Sequence, residues 1–263
     1  RTYGQTSKLY GKVEGLWGSL HVQDAPTVYY ETKTEKDVQR DNGKVETIIE
    51  TTENRVNIEA SEINVDFDLT HRKKGLLWYD TYKVNFLAGY KIKNPLTHTE
   101  TFKINFVFPS QDAIYDNFHL TVNGTAIEVN DFSQKVITIP VVLKDGEEGK
   151  IEIGYLSQGL DKWSYKFGET VSRVKNFSLT MTTNFSDIDF SENTISPSTK
   201  EKTSSGWKLK WQYRNLISGF QIGMDMPNKL NPGPLASRIS FFAPVSLLFF
   251  FLKSSNYRKI YRI

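Results

Sequence analysis

The feature that most narrows what this chain can fold into is a strict two-residue alternation of apolar and polar side chains. Tyr82, Val84, Phe86, Ala88, Tyr90 and Ile92 share one parity, Lys83, Asn85 and Lys91 lie on the other, and Asn94-Pro95 closes the run. Phe102, Ile104, Phe106 and Phe108 repeat the pattern as far as Pro109. Successive side chains of a strand point to opposite faces, so such runs have one buried and one wet face, as in an antiparallel sheet.

The same period extends through most of the chain. Val56, Ile58 and Ala60 alternate on one parity, and Ile63, Val65, Phe67 and Leu69 on the other. The switch predicts a bulge or turn at Ser61–Glu62. Phe118, Leu120 and Val122 run into Asn123-Gly124, a pair suited to the positive φ angles of a two-residue hairpin turn. Ile137 and Ile139 are separated from Ile151, Ile153 and Tyr155 by Asp145-Gly146 and Gly149. Trp163, Tyr165 and Phe167, then Phe177, Leu179 and Met181, then Trp207, Leu209, Trp211 and Tyr213, then Phe220, Ile222, Met224 and Met226 give later strands. Ser191–Ser205 is rich in Ser and Thr and reads as a long loop. No helical period occurs before Asn231.

Many short strands separated by turns predict an all-β chain. The expected arrangement is two antiparallel β-sandwich domains, 45–157 and 158–230, dividing near Ser157; one larger sandwich is the alternative. Residues 1–44 read as a membrane-proximal extended segment, with strand-like pieces at Val13–Leu16 and Thr27–Glu31. The polar run Lys33–Lys44 ends in Asp41-Asn42-Gly43, read as a loop or hairpin turn. The chain opens at Arg1 rather than Met, which suggests a fragment or processed form, and no signal peptide is visible.

Charge and composition bound the function. The 33 basic and 30 acidic residues nearly cancel, which argues against a nucleic-acid partner. Arg72-Lys73-Lys74 reads as a solvated turn. With no cysteine there is no disulfide, thiol nucleophile or Cys-ligated zinc.

The candidate chemistry is sparse. His21, His71, His98 and His119 have no metal-motif spacing, and no nucleophile elbow or phosphate loop occurs. Asp187, Asp189 and Glu192 cluster as paired carboxylates do in glycosidases or calcium sites, but an exposed, solubilising strand face is the better account of them. Glu147-Glu148 fits a turn, and Asp66 and Asp68 fit the wet face of a strand. Trp163, Tyr165, Trp207, Trp211 and Tyr213 could stack on sugars, but the shared parity of Trp207, Leu209, Trp211 and Tyr213 favours a core face. No catalytic, metal or cofactor-binding residue is assigned, and no cofactor is expected.

The C-terminal end departs from the pattern. Ile239–Leu252 is 14 residues without a charge. At ~1.5 Å per residue it falls short of a ~30 Å hydrocarbon core, yet it is too apolar for a surface strand. Residues 235–252 are read as a partial transmembrane segment and 253–263 as a basic tail on its cytoplasmic side, which puts the β-region outside.

Several stretches resemble CreD-type inner-membrane proteins, a bacterial family linked to cell-envelope integrity. They are Gly15-Leu16-Trp17-Gly18, Val22-Gln23-Asp24-Ala25-Pro26, Leu179-Thr180-Met181-Thr182-Thr183-Asn184-Phe185, Ser196-Pro197-Ser198 with Lys200, Ser205-Gly206-Trp207 with Trp211, and Asn215-Leu216-Ile217-Ser218-Gly219-Phe220, followed by the apolar segment after Pro234. The resemblance implies a large periplasmic region with membrane spans on either side, and supplies no site residues. The expected protein is therefore a non-enzymatic, membrane-anchored, extracytoplasmic β-protein of the bacterial inner membrane. Its expected partners are the lipid bilayer and an envelope protein or glycan. The alternative is a carbohydrate-binding or accessory module of an envelope glycan enzyme.

Overall fold

Backbone pairing of the alternating runs produces two sheets, seen in a computed structural model that describes residues 18–39, 45–75, 77–111, 113–129, 135–168 and 172–260. The strands are β1 (Ser19–Asp24), β2 (Thr27–Gln39), β3 (Val45–Val56), β4 (Ala60–Lys74), β5 (Leu77–Lys93), β6 (Glu100–Val107) and β7 (Tyr115–Val122). They continue as β8 (Thr125–Ala126), β9 (Val136–Leu143), β10 (Glu148–Lys166), β11 (Ser172–Thr183), β12 (Thr199–Lys202), β13 (Trp207–Ser218) and β14 (Ile222–Asp225). One helix, α1 (Pro232–Ile260), follows them. The smaller sheet has the order β3-β2-β6-β9, and the larger β12-β13-β11-β4-β5-β10-β7-β8, with β1 and β14 also pairing to β10.

The inward parities of both sheets meet in one hydrophobic cluster. The smaller sheet contributes Val28, Phe102, Ile104, Phe106, Ile139 and Val141. The larger contributes Val65, Phe86, Tyr90, Ile153, Leu179 and Trp211, among others. Each fully buried side chain of this size is worth ~1.5–3 kcal/mol of apolar transfer, so the shared cluster dominates the stability of the β-region.

Several expectations are corrected. Among the described residues strands begin at Ser19, ahead of the expected sandwich boundary at 45; the piece expected at Thr27–Glu31 is the start of β2, and the stretch read as a polar loop from Lys33 belongs largely to the same strand. The strand-like piece at Val13–Leu16 and the Asp41-Asn42-Gly43 turn lie outside the described residues. The break near residue 61 falls earlier, at Asn57–Glu59, because Ser61 is already paired with Tyr90 and buried. Ser157, the expected division, sits inside β10, which crosses it without interruption. The sheet is not wholly antiparallel: β1 lies parallel to β10, and β11 parallel to β4. Alternation gives the strand period but not the direction of the neighbour. The Ser191–Ser205 loop contains the short strand β12. Helix α1 begins at Pro232 and runs through the expected basic tail to Ile260.

Candidate functional site

Two regions gather polar side chains. The first is a groove of about 510 Å³ on the wet face of the larger sheet. Its floor follows from register. Asp66 pairs with Asn85 and Asn85 with Leu156, while Asp68 pairs with Lys83 and Lys83 with Gln158. These six side chains therefore form two rows across β4, β5 and β10. The β7 end adds Ile114, Tyr115 and Asp116 as a wall. That wall is held in place by Ser157, whose hydroxyl donates to the Ile114 carbonyl at 2.9 Å, and by Tyr115, whose hydroxyl donates to the Ser110 carbonyl at 2.7 Å. Asp68 accepts from the Asn184 amide at 2.6 Å and Asp66 from the Asn85 amide at 3.5 Å. The result is an open groove with carboxylates beside one ammonium and apolar side chains between them, and Ile114 82% exposed at the rim. It can accept hydrogen bonds from hydroxyl or amine groups of a small polar solute.

The second region is the root of helix α1. The segment after β14 is strapped to the turn end of the β4–β5 hairpin. Met226 N–H donates to the Asp161 carbonyl at 2.7 Å, and Lys229 N–H to Asp80 Oδ1 at 3.3 Å. The His71 ring nitrogen lies 3.0 Å from the Pro227 carbonyl and 3.2 Å from Asp80. Trp78 N–H donates to Asn231 Oδ1 at 2.6 Å, and Asn231 Nδ2 donates back to the Trp78 carbonyl at 3.3 Å. Beneath the strap, Tyr79 and Leu160 form a small separate apolar cluster with Leu77. Asp161 occupies a left-handed backbone position, φ 61°. There β10 turns away from β5 and takes up β1 and β14 instead. Partial burial raises the Asp161 carboxyl to about 6 and also raises Asp80, the latter partly offset by the Lys229 backbone N–H.

The residues singled out from sequence distribute differently. Asp66 and Asp68 come together at the groove, on the wet face as expected. Asp187, Asp189 and Glu192 are exposed; Asp189 only bridges by its backbone to Asp225, so they form no acid pair across a cleft. Glu147 accepts from the Lys144 N–H in its turn at 2.7 Å. Trp163, Tyr165 and Trp211 are buried in the core and offer no stacking face to solvent; Trp207 and Tyr213 are half-buried against the same core. His98 pairs with Glu100 at the surface, 3.5 Å. His119 lies over Gly154, where an added Cβ would fall 2.1 Å from its ring, so a side chain at 154 would displace it. His21 is fully buried, edge-on to Tyr82 at 5.8 Å, and burial lowers its pKa to about 4. Among the described residues no group of His, Asp or Glu is arranged to hold a metal ion.

Lys83, Asn85, Asp116 and Gln158 were not singled out from sequence. Each reads as a routine wet-face residue, and only the pairing of β4, β5, β10 and β7 makes them neighbours. Along α1, every side chain from Ile239 to Lys253 is exposed, with Phe241 at 77% and Phe250 at 67%. Among the described residues no helix is long and apolar enough to cross a membrane.

No protein-family model matches the chain, and no curated protein matches it. Among solved structures, the fold is similar to that of a protein from Legionella pneumophila subsp. pneumophila, described as a "putative nutrient binding protein". The TM-score is 0.53 at 10% identity, over 79% of this chain and 71% of that one. At that identity the likeness is one of fold.

Proposed function

We propose that this chain is a non-enzymatic, membrane-tethered β-protein of the bacterial inner membrane with its β-region outside the cytoplasm and a role in envelope integrity. In this reading the two sheets form one sandwich. The observation that carries the proposal is helix α1, whose uncharged run is exposed around its whole circumference. Exposing so many large apolar side chains to water is costly, and a contiguous exposed apolar surface marks a membrane or partner contact. At about 21 Å the 14-residue run embeds without spanning in isolation. Lys253, Arg258 and Lys259 beyond it favour the cytoplasmic side. The resemblance to CreD-type proteins supports the same placement.

The test is a reporter active only outside the cytoplasm, inserted at the Asn123-Gly124 turn of the native protein and followed by cell fractionation. Reporter activity together with membrane-fraction protein is the expected result. A silent reporter, or protein in the soluble cytosol, overturns the proposal.

The groove favours a second reading, in which the β-region binds a small polar solute such as a saccharide. The acceptors Asp66, Asp68 and Asp116 suit hydroxyl-rich ligands, and the Legionella neighbour's name points toward solute binding. Isothermal titration with neutral oligosaccharides, against an Asp66→Asn/Asp68→Asn variant, tests it. Binding should be lost in the variant; unchanged binding removes the groove from consideration.

A further inference from the structure

The strap that fixes helix α1 also gathers cationic side chains at one end of the β-region. Lys73 pairs with Trp78 and Lys74 with Leu77 at the tip of the β4–β5 hairpin, and Arg72 precedes them opposite Tyr79. Lys229 comes from the strap itself. Its ammonium lies 4.5 Å from the centre of the Trp78 ring, and that of Lys73 lies 5.6 Å from it. Lys73 and Lys229 are exposed. Leu230, the next residue along, is 82% exposed. Asn231 is hydrogen-bonded to Trp78 through both polar atoms of its side chain, and α1 starts at the following residue. Two exposed ammonium groups, an indole and an exposed leucine thus lie beside the point where the helix departs, while Arg72 and Lys74, which flank Lys73 along β4, project from the other face of the strand. The carboxylates there are Asp80, which is buried and paired with His71, and Asp161, which is half-buried.

We propose that this tip is a docking surface for anionic phospholipid headgroups, with Lys73 and Lys229 meeting the phosphates and Trp78 and Leu230 seated at the interface. The inference rests on the membrane reading of α1 and deepens it by naming the lipid chemistry. Three features support a bilayer over a protein partner. Lys73 and Lys229 lie beside the helix root, so a bilayer holding α1 comes within reach of them. Tryptophan flanked by ammonium groups suits the headgroup layer, where one part of the side chain is apolar and the other wet. Basic residues near a membrane surface attract anionic lipid additively. Lysine donates three hydrogens with no directional fork, which fits phosphate oxygens presented in varied orientations.

The experiment is flotation of the full chain with two kinds of vesicle, phosphatidylcholine alone and phosphatidylcholine mixed with phosphatidylglycerol. The full chain should float with both, and partition about tenfold more strongly to the anionic vesicles at low salt, an advantage that added salt reduces. Lys73→Gln/Lys229→Gln should bring the two partition coefficients together while the chain still floats with phosphatidylcholine. Lys208→Gln/Lys210→Gln, on strand β13 away from the tip, should keep the preference. Circular dichroism of both variants establishes that they fold. Equal partition of the unmodified chain, or a preference that survives in the double variant, overturns the headgroup site and leaves the membrane reading standing. Failure to float with either vesicle overturns both. Capture by polyglutamate with indifference to anionic vesicles also overturns it, in favour of an acidic protein partner.

Discussion

Single residues show where polarity and burial part company. In β1 the alternation is inverted: Ser19, His21 and Gln23 point inward and Leu20 is 46% exposed. Gln23 is satisfied there, accepting from the Tyr155 hydroxyl at 2.8 Å and donating to the Val107 carbonyl at 3.0 Å. Sequence alone does not reveal this, because period two says nothing about which face is inside; β1 is buried because it is inserted beside β10. The tryptophans were more legible, since large aromatics sharing a parity with leucine form a core. His21 carries the consequence of inversion. Its folded-state pKa of about 4 lies below the 6.5 of the unfolded chain. The stability held by the neutral ring is complete above pH 6.5 and declines as pH falls toward 4, by about 2 kcal/mol at pH 5. Asp161 acts in the opposite direction: a carboxyl raised to about 6 penalises the fold at pH 7, and the penalty is relieved as pH falls from 6 toward 3.8. His21→Phe should therefore abolish the acid loss, measured by urea melts at pH 7 and 5, without lowering stability at pH 7. Asp161→Asn keeps a residue tolerant of positive φ. It should stabilise at pH 7 by about 1–2 kcal/mol after allowance for solvent screening, and by less at pH 5.

At the scale of elements, local turn chemistry was legible and partnership was not. Asn123 and Gly124 have φ of 50° and 81°, and Val122 pairs with Thr125 across them, as the sequence of the turn predicts. Gly124→Val forces a β-branched residue into that region and should lower the melting temperature measurably, by about 1–2 kcal/mol of stability. Asn94 reads from sequence as a strand stop. In the fold it is buried, and its Nδ2 lies 2.8–3.0 Å from the carbonyls of His98, Leu143 and Lys144 while Leu96 N–H donates to its Oδ1. It ties the end of β5 in the larger sheet to the end of β9 in the smaller. That role depends on two strands far apart in sequence reaching the same corner, which no local pattern encodes. The same holds for β11, whose parallel partner β4 lies more than a hundred residues earlier.

At the scale of the whole molecule, the two sheets have one core while α1 has none. Among the described residues, every side chain of α1 from Ile239 to Lys253 is exposed, so its apolar run must be covered by something else. In dilute aqueous buffer the full chain should self-associate. Non-ionic detergent above its micelle threshold should return it to a single β-region per particle, followed by light scattering, with the far-ultraviolet strand signal unchanged. Persistent monomer without detergent would show that the run needs no cover. The groove, by contrast, was half legible. Asp66 and Asp68 stood out on a wet face, but the cavity exists only because β10 and β7 bring Gln158 and Asp116 alongside.

One ladder joins the two regions. The β4–β5 pairing runs unbroken from Lys73 opposite Trp78, at the helix root, to Asp68 opposite Lys83, at the groove. Five residues of strand separate them, which is no more than about 17 Å. The hairpin is therefore a yardstick of fixed length between the departure of the helix and the row of carboxylates. If the helix is held by a bilayer, the groove stands at a set height above it, within the few layers of water that a membrane organises. A solute captured there would be taken from the immediate vicinity of the lipid, or from a glycan still attached to one.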